Sequence, residues 1–180
     1  MSLKEPWVNY PHIWKTKGSF MSFLRGGIRR ALWNRSAIKL EFIKKYRKRI
    51  ANPNPRGRVK EVWGGTCCIC GKDFPTNELN VDHKVGHHSL KEIADIQLFI
   101  ESIVLVEEND LQFICLADHK IKNLQERTGV DFETARTEKL VIEICKNKQD
   151  KQWLIDKGIK PMSNAKARRE QITKEMNKDE

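Results

Sequence analysis

From Ser19 to Trp33 apolar residues recur every fourth position, with Phe20, Leu24, Ile28 and Leu32 on one stripe and Arg25, Arg29 and Arg30 on other faces. This spacing predicts a basic amphipathic helix. Gly26 and Gly27 each weaken it by about 1 kcal/mol relative to Ala, so the stripe must be docked for the helix to persist. A second helix is predicted over Ser36 to Ile50, with Ile38, Phe42, Ile43, Tyr46 and Ile50 inward and Lys44, Lys45, Arg47, Lys48 and Arg49 outward. Pro53 and Pro55 end it. Ahead of both helices, residues 1–17 carry Trp7, Tyr10, Pro11 and Trp14 without periodicity and read as an arm ordered by aromatic contacts.

The Asn- and Pro-rich stretch from Ala51 to Gly57 is a linker by composition, which puts a soft boundary near residue 58. Val59 to Trp63 is expected to be a short strand before Gly64-Gly65. Glu78 to His83 is expected to be another, with Leu79 and Val81 alternating against polar neighbours. A helix from Ser89 to Ile103 follows on the spacing of Ile93, Ile96, Phe99, Ile100 and Ile103. The apolar run Leu111 to Cys115 then leads into a helix from about Leu116 to Glu126. Asp131 has the position of an N-cap for a helix containing Ala135, Leu140, Val141 and Ile144. Ser163 to Met176 is a charged last helix with few apolar residues, marginal without a partner. The fold class is α+β.

Length and charge narrow the setting. A chain of 180 residues suits one modest domain with extensions. Its net charge of +10 is uneven: residues 1–60 hold sixteen Lys or Arg against Glu5 and Glu41, leaving residues 61–180 at −4. Clustered cations of this kind suit a polyanionic partner, because they release condensed counterions on meeting nucleic acid. No apolar run could cross a bilayer, and no apolar stretch follows Lys4 and Glu5, so a soluble, cytoplasmic protein without membrane contact is expected. Five cysteines, three of them crowded into Cys67 to Cys70, favour a metal site in a reducing compartment over a disulfide framework.

Cys67 and Cys70 have the separation that lets two thiolates of a tight turn reach one tetrahedral Zn²⁺, with Gly71 freeing the turn. Cys115 and Asp118 repeat the spacing with a carboxylate in second place. Asp118 can bind zinc at a loss of soft character, so the fourth ligand is Asp118 or else water, Cys68 or His119. Asp82-His83 adds a hard-metal ligand and a proton acceptor. Cutting a phosphodiester needs such a pair, since a cation must bear the developing phosphate charge while a base draws a proton from water.

The order Cys67-x-x-Cys70, Asp82-His83, Asn109-Asp110-Leu111-Gln112, Cys115-x-x-Asp118-His119 resembles the HNH endonucleases of the ββα-metal (His-Me finger) superfamily, most of all phage-encoded members. The matching stretch runs from about Thr66 to Gln125. The resemblance implies a small ββα-metal domain with a zinc knuckle, flanked by basic N-terminal helices and C-terminal helices. It divides the chain into a DNA-binding arm (1–57), a nuclease domain (58–130) and a helical extension (131–180). By the same resemblance Asp82 and His119 hold the catalytic cation, Asn123 one helical turn later completes its site, and His83 is the general base. An imidazole titrating near neutrality suits that task. Adjacent residues of a strand point to opposite faces, so Asp82 and His83 can serve one site only where the strand terminates or is strained.

In place of the family's central Asn stand Asn109 and Asp110, either of which could bond local backbone and hold the loop that carries the base. Mg²⁺ or Mn²⁺ is the expected cation, with Ni²⁺, Co²⁺ or Zn²⁺ admitted by an imidazole ligand, beside a structural Zn²⁺. The implied products are a 5′-phosphate and a 3′-hydroxyl. DNA is the expected partner, held at its phosphates by Arg25, Arg29, Arg30, Lys44, Lys45, Arg47, Lys48 and Arg49. His87 and His88 read as a surface turn, and the five Trp residues as core anchors more than base-stacking platforms. The alternatives are a zinc-knuckle nucleic-acid binder without catalysis, and an accessory of a phage packaging or recombination complex whose last helix docks a partner protein. If phage-encoded, the protein works in the host cytoplasm.

Overall fold

The computed structural model describes residues 4–55, 58–86 and 89–178, so His87 and His88 lie outside the described residues. Helices α1 (Pro6–Asn9), α2 (Lys17–Ala31) and α3 (Ala37–Tyr46) are followed by strands β1 (Lys48–Ala51), β2 (Glu61–Thr66), β3 (Asp73–Pro75) and β4 (Leu79–His83). Helix α4 (Ile96–Val104) and strand β5 (Leu111–Cys115) come next. The chain ends in α5 (Leu116–Thr128), α6 (Phe132–Lys146), α7 (Asp150–Asp156) and α8 (Ala165–Met176). The class is α+β, with an antiparallel sheet β1-β2-β3 and a separate antiparallel ribbon of β4 and β5. Two compact units result, Met1–Cys115 and Leu116–Glu180.

In the first unit, α2 starts where Thr16 and Ser19 form a reciprocal capping box. Phe20, Leu24 and Ile28 pack as expected against Leu90, Phe99 and Ile103, and this docking lets the helix keep its two glycines. Met21, outside the predicted stripe, is the most buried residue of α2, whereas Leu32 lies past the helix end and is exposed. The N-terminal arm does pack through its rings: Trp14 lies 5.1 Å from Phe20 and 4.9 Å from Phe23 between centroids, and Trp7 lies 5.6 Å from Phe20.

The predicted helix over Ser36 to Ile50 is cut short. It ends at Tyr46; Arg47 turns extended, and Lys48, Arg49 and Ile50 pair with Gly64, Trp63 and Val62 of β2. Ile50 fits a helical stripe and a strand equally well, and cross-strand pairing decides the outcome. Ile38 and Tyr46 are exposed rather than inward, leaving Phe42 as the buried anchor. Asn52 to Pro55 lies between two paired strands, so the soft boundary near residue 58 falls within this hairpin.

β2 begins two residues later than predicted and runs through both glycines. Gly65 is required there: a Cβ would lie 2.8 Å from Phe113 Cδ2 and 3.2 Å from Leu79 Cδ1, so only a bare backbone lets the sheet approach the ribbon. The helix predicted from Ser89 starts only at Ile96. The Asp95 carboxylate accepts the Lys91 and Glu92 N–H groups at 2.9 and 2.8 Å, holding the preceding residues in a tight turn.

In the second unit, Ile121 and Leu124 of α5 pack on Ala135 of α6, while Val141, Leu154 and Ile172 join α6, α7 and α8. Asp131 caps α6 through the Thr134 N–H at 2.9 Å. Ala135 and Val141 are the buried residues of α6, and Leu140 is exposed. The charged helix α8 finds its support within its own unit: Arg168 meets Asp150 of α7 at 2.6 Å and donates to the Met162 and Ser163 carbonyls. Among the described residues no helix is long and apolar enough to cross a membrane.

Candidate metal centre and histidine cleft

β2 runs into a turn built to present thiols. The Gly71 N–H donates to the Cys67 carbonyl at 3.0 Å and the Cys67 N–H to Lys72 at 2.9 Å, closing a knuckle. Its last residue, Gly71, has φ +69°, a left-handed conformation glycine adopts without strain. The Cys68 N–H donates to the Phe113 carbonyl at 2.9 Å, clamping the knuckle to β5, and the Cys115 N–H points at Cys67 Sγ at 3.3 Å. β5 ends at Cys115, and Asp118 follows in the first turn of α5.

The ligand atoms of Cys67, Cys70, Cys115 and Asp118 all lie within 4.8 Å of one another. One ion bonded to the sulfurs at about 2.3 Å fits that span. Cys67 and Cys115 are 1% and 3% exposed and Asp118 is buried, while Cys70 closes the cluster from the solvent side. Three thiols and one carboxylate could hold a metal ion such as zinc, and of the candidates for fourth ligand it is Asp118 that joins the cysteines.

The ribbon carries the second feature. Burial alternates along β4, so Leu79, Val81 and His83 share the inner face and Asn80 and Asp82 the other. Asp82 pairs with Gln112 and His83 with Leu111. His83 is 7% exposed and stacks on Trp33, with centroids 4.6 Å apart and planes 26° apart; Lys39 Nζ lies 4.8 Å from the same indole. Burial holds the Lys39 amine below its ordinary pKa. β4 terminates at His83, whose carbonyl accepts from Gln112 Nε2 at 3.3 Å.

His83, Asn109 and Asp110 come together along one cleft of about 410 Å³, shared with Lys84, Ser102 and Val106. Asp110 is fixed locally: its carboxylate accepts the Glu107 N–H at 2.8 Å, and its carbonyl accepts the Lys84 N–H at 2.7 Å, beside His83. Glu108 anchors this turn to α3, accepting from Lys45 at 2.6 Å and from Tyr46 at 2.5 Å. The Lys45 and Tyr46 hydrogen bonds hold the Glu108 carboxyl below its ordinary pKa, and the same contact raises that of Lys45. Neither Trp33 nor Glu108 stands out in the sequence, since both act across long chain separations.

On α5, His119 is half-buried and Asn123, one turn later, is exposed. The cations predicted to meet DNA are variously engaged. Arg25 donates to the Leu90 carbonyl at 2.8 Å, and Arg29 lies 5.7 Å from the Phe99 ring centroid. Lys48 meets Asp73 at 2.9 Å, Arg49 meets Glu61 at 3.5 Å and Lys44 meets Glu41 at 3.9 Å. Arg30 is exposed, and Arg47 lies over Trp63. Lys48 and Arg49 present from a strand and not from the predicted helix.

The chain matches no family model, no curated protein and no solved structure.

Proposed function

We propose that the protein is a metal-dependent HNH endonuclease that hydrolyses DNA phosphodiester bonds, with β4, β5 and α5 as its ββα-metal core. One observation carries this reading: a single antiparallel ribbon gathers four metal-ligand side chains at its Leu79–Cys115 end, and its strand β4 terminates in Asp82-His83 at the opposite end, across from Leu111. A strand terminus is where adjacent side chains can serve one site. The cleft shared by His83, Asn109 and Asp110 supports it further, since Asp110 bonds backbone and braces the residue after the base.

In this reading the cysteine cluster holds zinc and staples the core. His83 takes a proton from the attacking water. Asp82 and His119, with Asn123, would hold Mg²⁺ or Mn²⁺, and such a cation supplies charge stabilisation for the phosphate and the departing 3′ oxygen. The basic arm grips phosphates without reading sequence. The test is supercoiled-plasmid cleavage with added Mg²⁺ or Mn²⁺. Wild type should nick or linearise the plasmid and His83→Ala should not, although it binds DNA equally; equal cutting by both would refute the assignment.

A second reading is favoured by the low exposure of His83 and its stacking on Trp33, which also suit a structural histidine. The protein would then be a zinc-knuckle nucleic-acid binder without catalysis. In that case no divalent salt supports cleavage.

A further inference from the structure

Trp63 was expected in the core, yet it is 45% exposed on β2. Two guanidinium groups lie over its ring, Arg47 at 4.4 Å and Arg49 at 5.3 Å from the centroid. The same indole borders a cleft of about 400 Å³ with Pro53, Asn54, Pro75, Asn77 and the carboxylate-bearing Glu78. Thr76 Oγ1 donates to the Trp63 carbonyl at 2.9 Å and fixes that wall. Trp63 thus presents an aromatic ring to solvent beside two cations and a cleft.

We propose that Trp63 is a stacking platform for one unpaired nucleobase of single-stranded DNA, with Arg47 taking the adjoining phosphate and Asn54 and Asn77 facing the base edge. Stacking accepts any base because every base has a π-face, and an asparagine amide offers both donor and acceptor. Charge supports this occupant over a peptide. Residues 1–60 carry sixteen Lys or Arg against two Glu, and Arg47 and Arg49 bring that charge to the ring itself. Arg49 also meets Glu61 and Lys48 meets Asp73, so Arg47 is the cation best placed for phosphate.

This inference rests on the reading that the protein works on DNA, but it does not need the protein to cut. Fluorescence anisotropy of the full-length, zinc-loaded protein without added Mg²⁺ or Mn²⁺ tests it, using labelled dT15, a dT15 with abasic sites, and a 15-base-pair duplex. Trp63→Leu should weaken dT15 binding about tenfold while changing duplex binding less than twofold, and Trp63→Phe should keep most of the affinity. Wild type should bind the abasic strand as poorly as Trp63→Leu binds dT15. Equal losses on single strand and duplex, a Trp63→Leu variant that binds dT15 like wild type, or no binding of dT15 at all would overturn the proposal. Plasmid cleavage in parallel separates the outcomes: failure to cut with a Trp63-dependent affinity sinks the nuclease reading alone.

Discussion

Cys70 offers the cleanest test of the metal centre, because it is the exposed member of the cluster. Cutting back Cys67 or Cys115, both nearly fully buried, would lose packing together with a ligand. Cys70→Ser removes a thiolate and leaves no cavity. Structural zinc sites contribute about 10–16 kcal/mol of apparent binding free energy, and a quarter of that, about 3 kcal/mol, is the expected share of one ligand. For a unit of this size, 3 kcal/mol lowers the melting temperature by about 10 °C. The assay is thermal unfolding by circular dichroism alongside zinc content by elemental analysis. Wild type should carry one zinc per chain, and Cys70→Ser should lose it and melt earlier. Cys68→Ser is the control, since Cys68 is also exposed but stands outside the cluster, and it should match wild type in both readouts. If Cys70→Ser keeps its zinc and its melting point, or if wild type binds none, the centre is misassigned.

Gly64→Ala should destabilise the first unit by about 1–3 kcal/mol, because the new Cβ would run into the Phe74 carbonyl oxygen and Ile50, and a strand backbone cannot yield as a side chain can; denaturant melts measure this. Asp150→Ala should cost the second unit about 3–5 kcal/mol by leaving Arg168 buried without its carboxylate, read by hydrogen exchange across α6 to α8. Glu108→Gln should loosen the turn bearing Asn109 and Asp110. Because the folded pKa of Glu108 is depressed, its stabilisation is complete above the unfolded value and is lost as pH falls through the folded one. Wild type should therefore out-melt Glu108→Gln at pH 7 and lose that lead on acidification below the ordinary carboxylate value of 4.5; a lead that persists in acid would contradict the sign.

Much of the metal centre was legible because its ligands lie in two short segments, where spacing stands in for geometry: Cys67-x-x-Cys70 and Cys115-x-x-Asp118 meet as the motif implies. Helices with a docked stripe, such as α2 and α6, were legible for a similar reason, since their periodicity is local. Ile50 was misread because one apolar residue satisfies both periods, and only its partner Val62, twelve residues on, decides between them. α7 was missed because a seven-residue helix is too short to establish a period; the Asp150–Arg168 pair and Leu154 hold it, neither visible without the fold. The Trp33–His83 stack joins residues fifty apart, and the Glu108 clasp joins residues more than sixty apart, so no window along the chain contains either.

The central claim is that Asp82 and His119 share one divalent cation within reach of His83. Crystals of the zinc-loaded protein grown with Mn²⁺, with anomalous maps recorded at the manganese and zinc edges, test it most directly. The account predicts zinc among Cys67, Cys70, Cys115 and Asp118 and a separate manganese bonded by Asp82 and His119. Zinc in place with no manganese at Asp82, or Asp82 and His119 bonded to different ions, would contradict it.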